Sequence, residues 1–296
     1  MIVRIFGAVA AFVLAFCTLA IDKSRGAENG EPLELTSLLG RKLYGLPDDG
    51  SIRAAKKAVA TNPKDVALIL QLSKAQAARR QYREAVTTCT SGLAVAPVNA
   101  DLHLERGHRE LGLREFSQAL VDLKRAVELN PKQLEEFYHL GLAHYFLGQF
   151  GEAAQSFGDA LKLAQTSDSV IDCSNWLYVS LRRAGQAEAA ARALSRITPD
   201  IKNKEPHLLF YLRLLRFYQG TLSESQVMPA KPAGANDIEG ELSFDTVSYG
   251  VGNWHLYNNN ADAARAIFQK VVTGFAWNSW GFIGSEVWLA KSSARQ

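Results

Sequence analysis

Three prolines recur at a fixed interval of 34 residues, at Pro63, Pro97 and Pro131. A period of roughly 20 to 50 residues indicates stacked copies of one supersecondary unit. Proline cannot continue a helix interior, so each of these prolines marks a point where a helix has ended. Because one unit cannot bury its apolar face alone, neighbouring units must stack. The period therefore predicts an all-α chain built from antiparallel helix pairs.

The residues between the prolines keep one register through three consecutive units. These units span 66–99, 100–133 and 134–167. Small residues stand at the eighth, twentieth and twenty-seventh positions, where two antiparallel helices cross closely, and large apolar residues fill the gap between the helices. In the third unit the small residues are Gly141, Ala153 and Ala160. This signature resembles the tetratricopeptide-repeat (TPR) family, and the resemblance implies a right-handed helical solenoid.

Weaker units extend the array in both directions. They are predicted over 32–65, 171–204, 205–228 and 245–278. Residues 229–243 include two prolines and few large apolar residues, so we expect a surface loop there. A last helix over 279–291 should cap the stack. The complete expectation is a solenoid of about five to seven helix pairs over residues 32–296, with a C-terminal capping helix.

The first residues of the chain have the features of a secretory signal. Arg4 precedes an apolar stretch over residues 5–21, and small residues precede a cut after Ala20. We therefore expect residues 1–20 to be removed, residues 21–31 to form a short linker, and the chain to be exported to the periplasm or secreted. An uncleaved membrane anchor is the alternative, because about 17 apolar residues lie at the short end of what spans a bilayer.

Composition places the rest of the chain among ordinary globular proteins. Hydrophobic residues make up 47% and charged residues 21%, enough for a full core. The 33 Lys+Arg against 30 Asp+Glu give a net charge of only +3, so no nucleic-acid partner is expected. Once the signal is removed, two cysteines are left, Cys89 and Cys173. They lie about two and a half repeats apart, beyond the reach of a disulfide, so we expect buried free thiols.

The sequence carries no pattern that predicts catalysis or a cofactor. It has neither a Gly-x-Ser-x-Gly nucleophile motif nor a Gly-x-x-x-x-Gly-Lys phosphate loop. His103 and His108 stand five residues apart on one helix, as do His139 and His144. Two histidines that clasp one metal ion from a single helix need a spacing of four. We therefore expect a non-enzyme without a metal site.

A second set of motifs resembles a narrower group, the NlpI-type TPR lipoproteins of the bacterial envelope. The motifs are Trp176-Leu177-Tyr178, Phe217-Tyr218-Gln219-Gly220, Ser223-Glu224, Val251-Gly252 and Phe268. The resemblance covers roughly residues 66 to 290. It implies an adaptor, often a homodimer, that docks envelope proteases and cell-wall enzymes. The sequence departs from that group at Cys17, because Phe16 is too large for the residue cut before a lipidated cysteine.

A partner would be expected in the concave groove that the first helices of the pairs line in TPR arrays. The positions that face this groove hold Leu70, Lys74, Leu104, His108, Tyr138, Leu142, Tyr145, Asn175, Val179 and Arg182. Tyr138, Leu142 and Tyr145 form one stripe that suits an apolar anchor, unless the stripe packs between helices instead. Leu70 stands where a lysine/asparagine clamp would need a polar group, so a peptide carboxylate is not the expected ligand.

The leading functional hypothesis is a non-catalytic protein–protein adaptor in the bacterial cell envelope. The alternative is a periplasmic binder of a small ligand or glycan in the aromatic-lined groove. One group of C-terminal aromatics has two interpretations, packing of the last repeat or an exposed docking patch. Its members are Trp254, Tyr257, Phe275, Trp277, Trp280, Phe282 and Trp288.

Overall fold

The computed structural model describes residues 31–205, 208–232, 234 and 237–294. Within these ranges the strands are β1 (Leu33–Thr36) and β2 (Lys42–Tyr44). The helices are α1 (Ser51–Thr61), α2 (Val66–Ala78), α3 (Tyr82–Val95), α4 (Ala100–Gly112), α5 (Phe116–Leu129), α6 (Leu134–Leu147), α7 (Phe150–Leu163), α8 (Ser167–Arg183), α9 (Ala187–Ala193), α10 (Leu208–Tyr218), α11 (Glu224–Val227), α12 (Ile238–Tyr257), α13 (Ala261–Val271) and α14 (Trp280–Ser293). The prediction of a helical solenoid is confirmed. The predicted signal at 1–20 lies outside the described residues, and no helix within them is long and apolar enough to cross a membrane.

Helices α2 to α7 lie inside the three regular units of the sequence. The side chain of Asp65 accepts hydrogen bonds from the backbone N–H groups of Ala67 and Leu68, which starts α2. Asn99 starts α4 in the same way, by accepting from the N–H of Leu102. Helices α1, α3 and α5 each end two residues before one of the repeated prolines, Pro63, Pro97 and Pro131. The repeated prolines thus mark where helices end, and Asp65 and Asn99 mark where the following helices begin.

The first unit, 32–65, departs from the predicted helix pair. Residues 33–44 form an antiparallel hairpin of β1 and β2 where a first helix was expected. Leu35 pairs with Leu43 across the hairpin, and both are buried, so they form its inward face. The pairing is irregular between Leu33 and Leu35, and Leu33 is exposed. Gly40, at φ +82°, provides the left-handed backbone of the connecting turn. The expectation of a helix pair over 32–65 is therefore wrong for its first helix, while α1 forms the second.

The predicted loop over 229–243 is also too long. Helix α12 begins at Ile238, where the side chain of Asp237 accepts a hydrogen bond from the N–H of Gly240. Its buried residues include Phe244 and Val247, so the helix continues the array well before residue 245. The predicted capping helix corresponds to α14.

The two ends of the described part of the chain, the hairpin and residues 271–286, pack against each other. Arg41, beside the hairpin, donates from Nη1 to the carbonyl oxygens of Val272 (3.0 Å) and Gly274 (2.6 Å). The indole Nε1–H of Trp277 donates to the carbonyl oxygen of Tyr44 at 2.9 Å. One apolar cluster combines residues of the hairpin, α2, α3, α12 and α14. The solenoid therefore closes on itself.

A buried ion pair sits at this closure. Nε of Arg114, which follows α4, lies 2.8 Å from a carboxylate oxygen of Glu286 on α14, and these side chains are only 3% and 0% exposed. The other Glu286 oxygen accepts from the backbone N–H of Leu38 at 2.8 Å. Burial lowers the pKa of Arg114, and the Glu286 carboxylate opposes that shift. One carboxylate thus joins the hairpin, α4 and α14.

The prediction of two free, buried thiols is confirmed for Cys89 and Cys173. Burial raises the pKa of Cys89 to about 12 and raises that of Cys173 as well. Both thiols are therefore protonated at neutral pH and unreactive.

Candidate binding groove

The predicted stripe on α6 is buried inside the closed solenoid. Tyr138, Leu142 and Tyr145 are 7%, 0% and 3% exposed. The hydroxyl of Tyr145 donates to Oδ1 of Asn253 at 3.2 Å and accepts from the hydroxyl of Tyr249 at 3.0 Å, both on α12. The interpretation of this stripe as an open docking surface is therefore wrong. The three side chains pack between helices, which was the alternative interpretation.

The C-terminal part of the predicted groove is filled in the same way. Asn175 and Val179 on α8 are buried. Arg182 lies with its guanidinium 4.3 Å from the ring centroid of Tyr257, which belongs to α12. A cation over an aromatic face is stabilising when both are shielded from water. Arg182 therefore faces the chain's own last repeat, and Asn175 and Val179 are inaccessible to a partner.

One part of the concave surface stays accessible along α2, α4 and α6, and it meets the start of α14 at His108 and His139. Its residues are Leu70, Lys74, Leu104, His108, His139 and Trp280, and we call this set the open groove. Lys74 is exposed, and the other five side chains are half-buried. Four of the six are predicted site residues. The open groove is thus an apolar and aromatic surface with one cation at its edge.

Trp280, at the start of α14, forms the wall of the open groove. Its indole centroid lies 5.4 Å from the His108 ring and 6.4 Å from the His139 ring. The two imidazoles contact each other with centroids 4.2 Å apart and ring planes tilted by 40°. Other members of the C-terminal aromatic group, such as Trp277 and Phe282, are buried, so they pack in the core rather than form an exposed docking patch.

Both imidazoles are held in the neutral form. Burial lowers the pKa of His139, a hydrogen bond to the Glu135 carbonyl opposes this shift, and the nearby Arg109 charge adds to it, so that together they bring the pKa to about 4. Burial also lowers the pKa of His108 well below its ordinary value, with Arg109 and His139 acting in the same direction. His108 Nδ1 accepts from the Arg109 guanidinium at 3.1 Å, which requires an unprotonated nitrogen. The α4–α6–α14 contact therefore depends on uncharged histidines.

Acidification should weaken this contact. Below an ordinary histidine pKa of about 6.5, the unfolded chain binds a proton at residue 139 that the folded chain does not take up until about pH 4. Between about pH 7 and pH 5 the wild type should therefore lose about 2 kcal/mol more unfolding free energy than His139→Gln. Urea unfolding at both pH values measures this difference. Parallel pH curves for the two proteins would show that His139 is not shielded.

His139 and Trp280 were not among the predicted site residues. His139 stands one residue beyond Tyr138, outside the inward-facing positions of its repeat. Trp280 comes from a helix about 140 residues further along the chain, and no local pattern places it in the groove. Its presence in an aromatic-rich tail was the only available signal.

The comparisons with known proteins agree with this repeat geometry. A family model described as tetratricopeptide repeat matches residues 137–167, which cover most of α6 and α7. The repeats are tetratricopeptide repeats. Small glutamine-rich tetratricopeptide repeat-containing protein 2 of Saccharomyces cerevisiae is 29% identical over 103 residues, or 35% of this chain. The TPR assignment thus rests on the repeat signature, the helix pairs and these matches.

Two further relatives carry names that describe protein binding. Hsp70-Hsp90 organizing protein of Triticum aestivum is 29% identical over 90 residues, or 30% of this chain. Hsc70-interacting protein 1 of Drosophila melanogaster is 28% identical over 140 residues, or 46% of this chain. The chain spans 30%, 16% and 32% of the lengths of the three relatives in turn.

Solved structures with similar backbones include MamA. One MamA crystal structure has a TM-score of 0.46 and 21% identity, covering 50% of this TPR chain and 85% of its own. MamA of Desulfovibrio magneticus RS-1 has a TM-score of 0.44 and 23% identity, covering 49% of this chain and 80% of its own.

Proposed function

We propose that this TPR protein is a non-catalytic adaptor that binds other proteins through the open groove. The observation that carries this proposal is the contact of the Trp280 indole with the rings of His108 and His139. This part of the concave surface already accepts an aromatic side chain presented by a helix, and an aromatic anchor is what dominates many interfaces. A partner helix or peptide can extend that contact along Leu104 and Leu70.

Charge at the edge of the open groove favours partners with acidic groups. Lys74 is exposed and has no acidic partner within ion-pair distance among the described residues. Such a rim charge steers association more than it adds affinity. The names of the relatives, which describe proteins that organise or interact with chaperones, support the general class of protein binding.

The proposal includes a location in the bacterial envelope. The signal features at residues 1–20 and the resemblance to NlpI-type lipoproteins support export to the periplasm. Envelope proteases and cell-wall enzymes are the partner classes that follow from this resemblance.

Affinity capture followed by reconstitution tests the proposal. The tagged wild-type chain should retain a specific protein from an envelope extract, and the purified partner should bind it directly. The double change Lys74→Glu with Leu104→Ala should weaken that binding at least about tenfold, or about 1.4 kcal/mol, because it removes an apolar contact and reverses the rim charge.

Val121→Ala with Lys124→Glu is the matched control. Both residues are exposed on α5, so the control also truncates an apolar side chain and reverses a lysine charge, away from the open groove. It should bind like the wild type, and both variants should keep native helicity. Equal binding by all three proteins would move the partner site away from the open groove. Capture only from cytosolic extract would contradict the location.

A further inference from the structure

A second recess is lined by residues of α7, α8 and α9 and of the turn that follows α9. It has a volume of about 320 Å³. Its apolar floor consists of Leu161, Leu177, Leu181, Ala189 and Ala193, and we call this recess the α9 cleft. It exists because two of these helices present small residues to each other, alanines on α9 and Gly158 on α7. A side chain added at Gly158 would meet no atom within 4 Å.

The helix that forms one wall of the α9 cleft is unusually short. Helices α3, α5 and α7 each have 14 residues, whereas α9 has 7, followed by a 3-10 turn over Leu194–Arg196. Pro199 cannot continue a helix, and it disfavours helical geometry at the preceding Thr198. The second helix of this repeat therefore stops early and leaves apolar surface uncovered.

The segment that follows α9 is held firmly in place, so the cleft is preformed. Arg216 on α10 donates from Nη2 to the carbonyl oxygen of Thr198 at 2.7 Å. Gln219 donates from Nε2 to the carbonyl oxygen of Ile197 at 2.8 Å. A partner that enters a preformed site loses less free energy to ordering than one that must organise it.

The rim of the α9 cleft is cationic. Lys162, Arg192 and Arg196 surround the floor, and all three are exposed. Their ion pairs are weak, because Lys162 meets Asp159 at a surface position and Arg192 lies 4.0 Å from Glu188, with side chains 74% and 96% exposed. Residues 192–216 carry six Lys/Arg against two Asp/Glu, a local net charge of +4 in a chain whose total is +3.

We propose that the α9 cleft docks an amphipathic helix of a partner protein, with apolar side chains on one face and acidic residues beside them. A groove between two helices accepts such a helix through anchors three and four residues apart. The volume admits a few apolar side chains, and the cationic rim complements flanking carboxylates. This surface is separate from the open groove, so the two proposals can fail independently.

A recessed floor distinguishes this site from a membrane-binding surface. Leu161 and Leu181 are buried, and Leu177 is half-buried, so the apolar atoms lie below the charged rim. A bilayer surface would need protruding apolar side chains, whereas an inserted side chain of a partner reaches into the recess.

The proposal is tested with phage-displayed random peptides long enough for three or four helical turns, panned on the full chain. Enriched peptides should carry Leu, Ile or Phe at helical spacing together with Asp or Glu. Synthetic copies should bind the wild type, and Gly158→Leu should weaken binding at least about tenfold by filling the cleft. Arg192→Glu with Arg196→Glu should cause a similar loss and reduce the salt dependence of binding.

Matched controls exist for both changes. Gly151→Leu lies seven residues earlier on the same helix, where an added side chain also meets no atom within 4 Å, and it should bind normally. Lys124→Glu with Lys132→Glu changes the charge equally at exposed sites elsewhere, so it should also bind normally. Replacement of a helical glycine favours the helix, so both leucine variants should fold.

Three outcomes would overturn the proposal. Panning that enriches no peptide, or only peptides without the apolar and acidic pattern, would remove the predicted ligand. Peptides that bind Gly158→Leu as tightly as the wild type would place their site elsewhere. The third outcome is that no peptide binds, whereas the wild type binds vesicles of equal phosphatidylcholine and phosphatidylglycerol and the variant Arg192→Glu with Arg196→Glu does not. The cationic rim would then be a membrane-binding surface.

Discussion

Replacing Glu286 with glutamine should lower the free energy of unfolding by about 3–5 kcal/mol, because it leaves the Arg114 charge buried without its partner. The two side chains are 3% and 0% exposed and 2.8 Å apart. The amide keeps the shape of the carboxylate, so the loss would come from charge and hydrogen bonding rather than from a cavity. Arg114 would still donate to the carbonyl oxygen of Trp277, which satisfies only part of its guanidinium.

Amide hydrogen exchange should locate the damage. The pair joins the end of α4 to α14, and Glu286 also receives the N–H of Leu38. Exchange should therefore accelerate first in α14 and in the hairpin, while α6 and α7 stay protected. A stability change below about 1 kcal/mol would show that water reaches the pair.

The double variant Arg114→Met with Glu286→Leu separates charge from packing. An apolar pair of similar volume removes the desolvation cost of two ions, so this variant should recover much of the stability lost by Glu286→Gln. It cannot recover all of it, because the N–H of Leu38 loses its acceptor. A double variant less stable than Glu286→Gln would mean that the ion pair itself stabilises the closure.

The sequence predicted what short-range periodicity encodes. Asp65, Asn99 and the repeated prolines mark helix starts and ends locally, and Gly141 opposite Phe157 is a contact within one repeat. These features depend on residues a few turns apart, so a 34-residue register captures them. The same register predicts Tyr145 on the inward face of α6, where it lies.

The closure could not be predicted in the same way. Arg114 and Glu286 are 172 residues apart, and no periodic pattern links them. An inward-facing residue lines an open groove only if nothing fills the concave side, and here α12 and α14 fill most of it. Tyr145 was thus placed on the correct face but interpreted wrongly as accessible.

The apolar pattern of the hairpin fits a helix as well as a strand, because short apolar patterns are ambiguous. Leu35 and Leu38 are three residues apart, which fits a helix, while Leu33 and Leu35 alternate as in a strand. Tertiary contacts decide between strand and helix here, since Leu35 and Leu43 pack with Trp277 and Phe282, which lie more than 230 residues further along the chain. A strand at this position owes its stability to that distant partner.

Gly281→Ala should be the most damaging single methyl addition at the closure. Helix α14 starts against α12, where Ser279 Oγ lies 2.7 Å from Oδ2 of Asp245 and the N–H of Phe282 donates to Ser279. A Cβ at residue 281 would stand 2.3 Å from the carbonyl oxygen and 2.6 Å from the carbonyl carbon of Asp245. Backbone atoms inside a helix cannot move aside singly, so the whole helix must shift. We expect a loss of about 3 kcal/mol, the upper end for overpacking.

Gly141→Ala is the matched comparison, because it makes the same substitution inside the most regular repeat. Its Cβ would meet ring atoms of Phe157 at 2.8 Å, and a ring can tilt where a backbone carbonyl cannot. Both variants gain the same helix propensity, so that contribution cancels in the difference. Gly141→Ala should therefore cost about 1–2 kcal/mol, less than Gly281→Ala, when both are measured by urea unfolding. The reverse order would mean that α12 and α14 cross loosely, and that the closed solenoid opens more easily than the buried contacts imply.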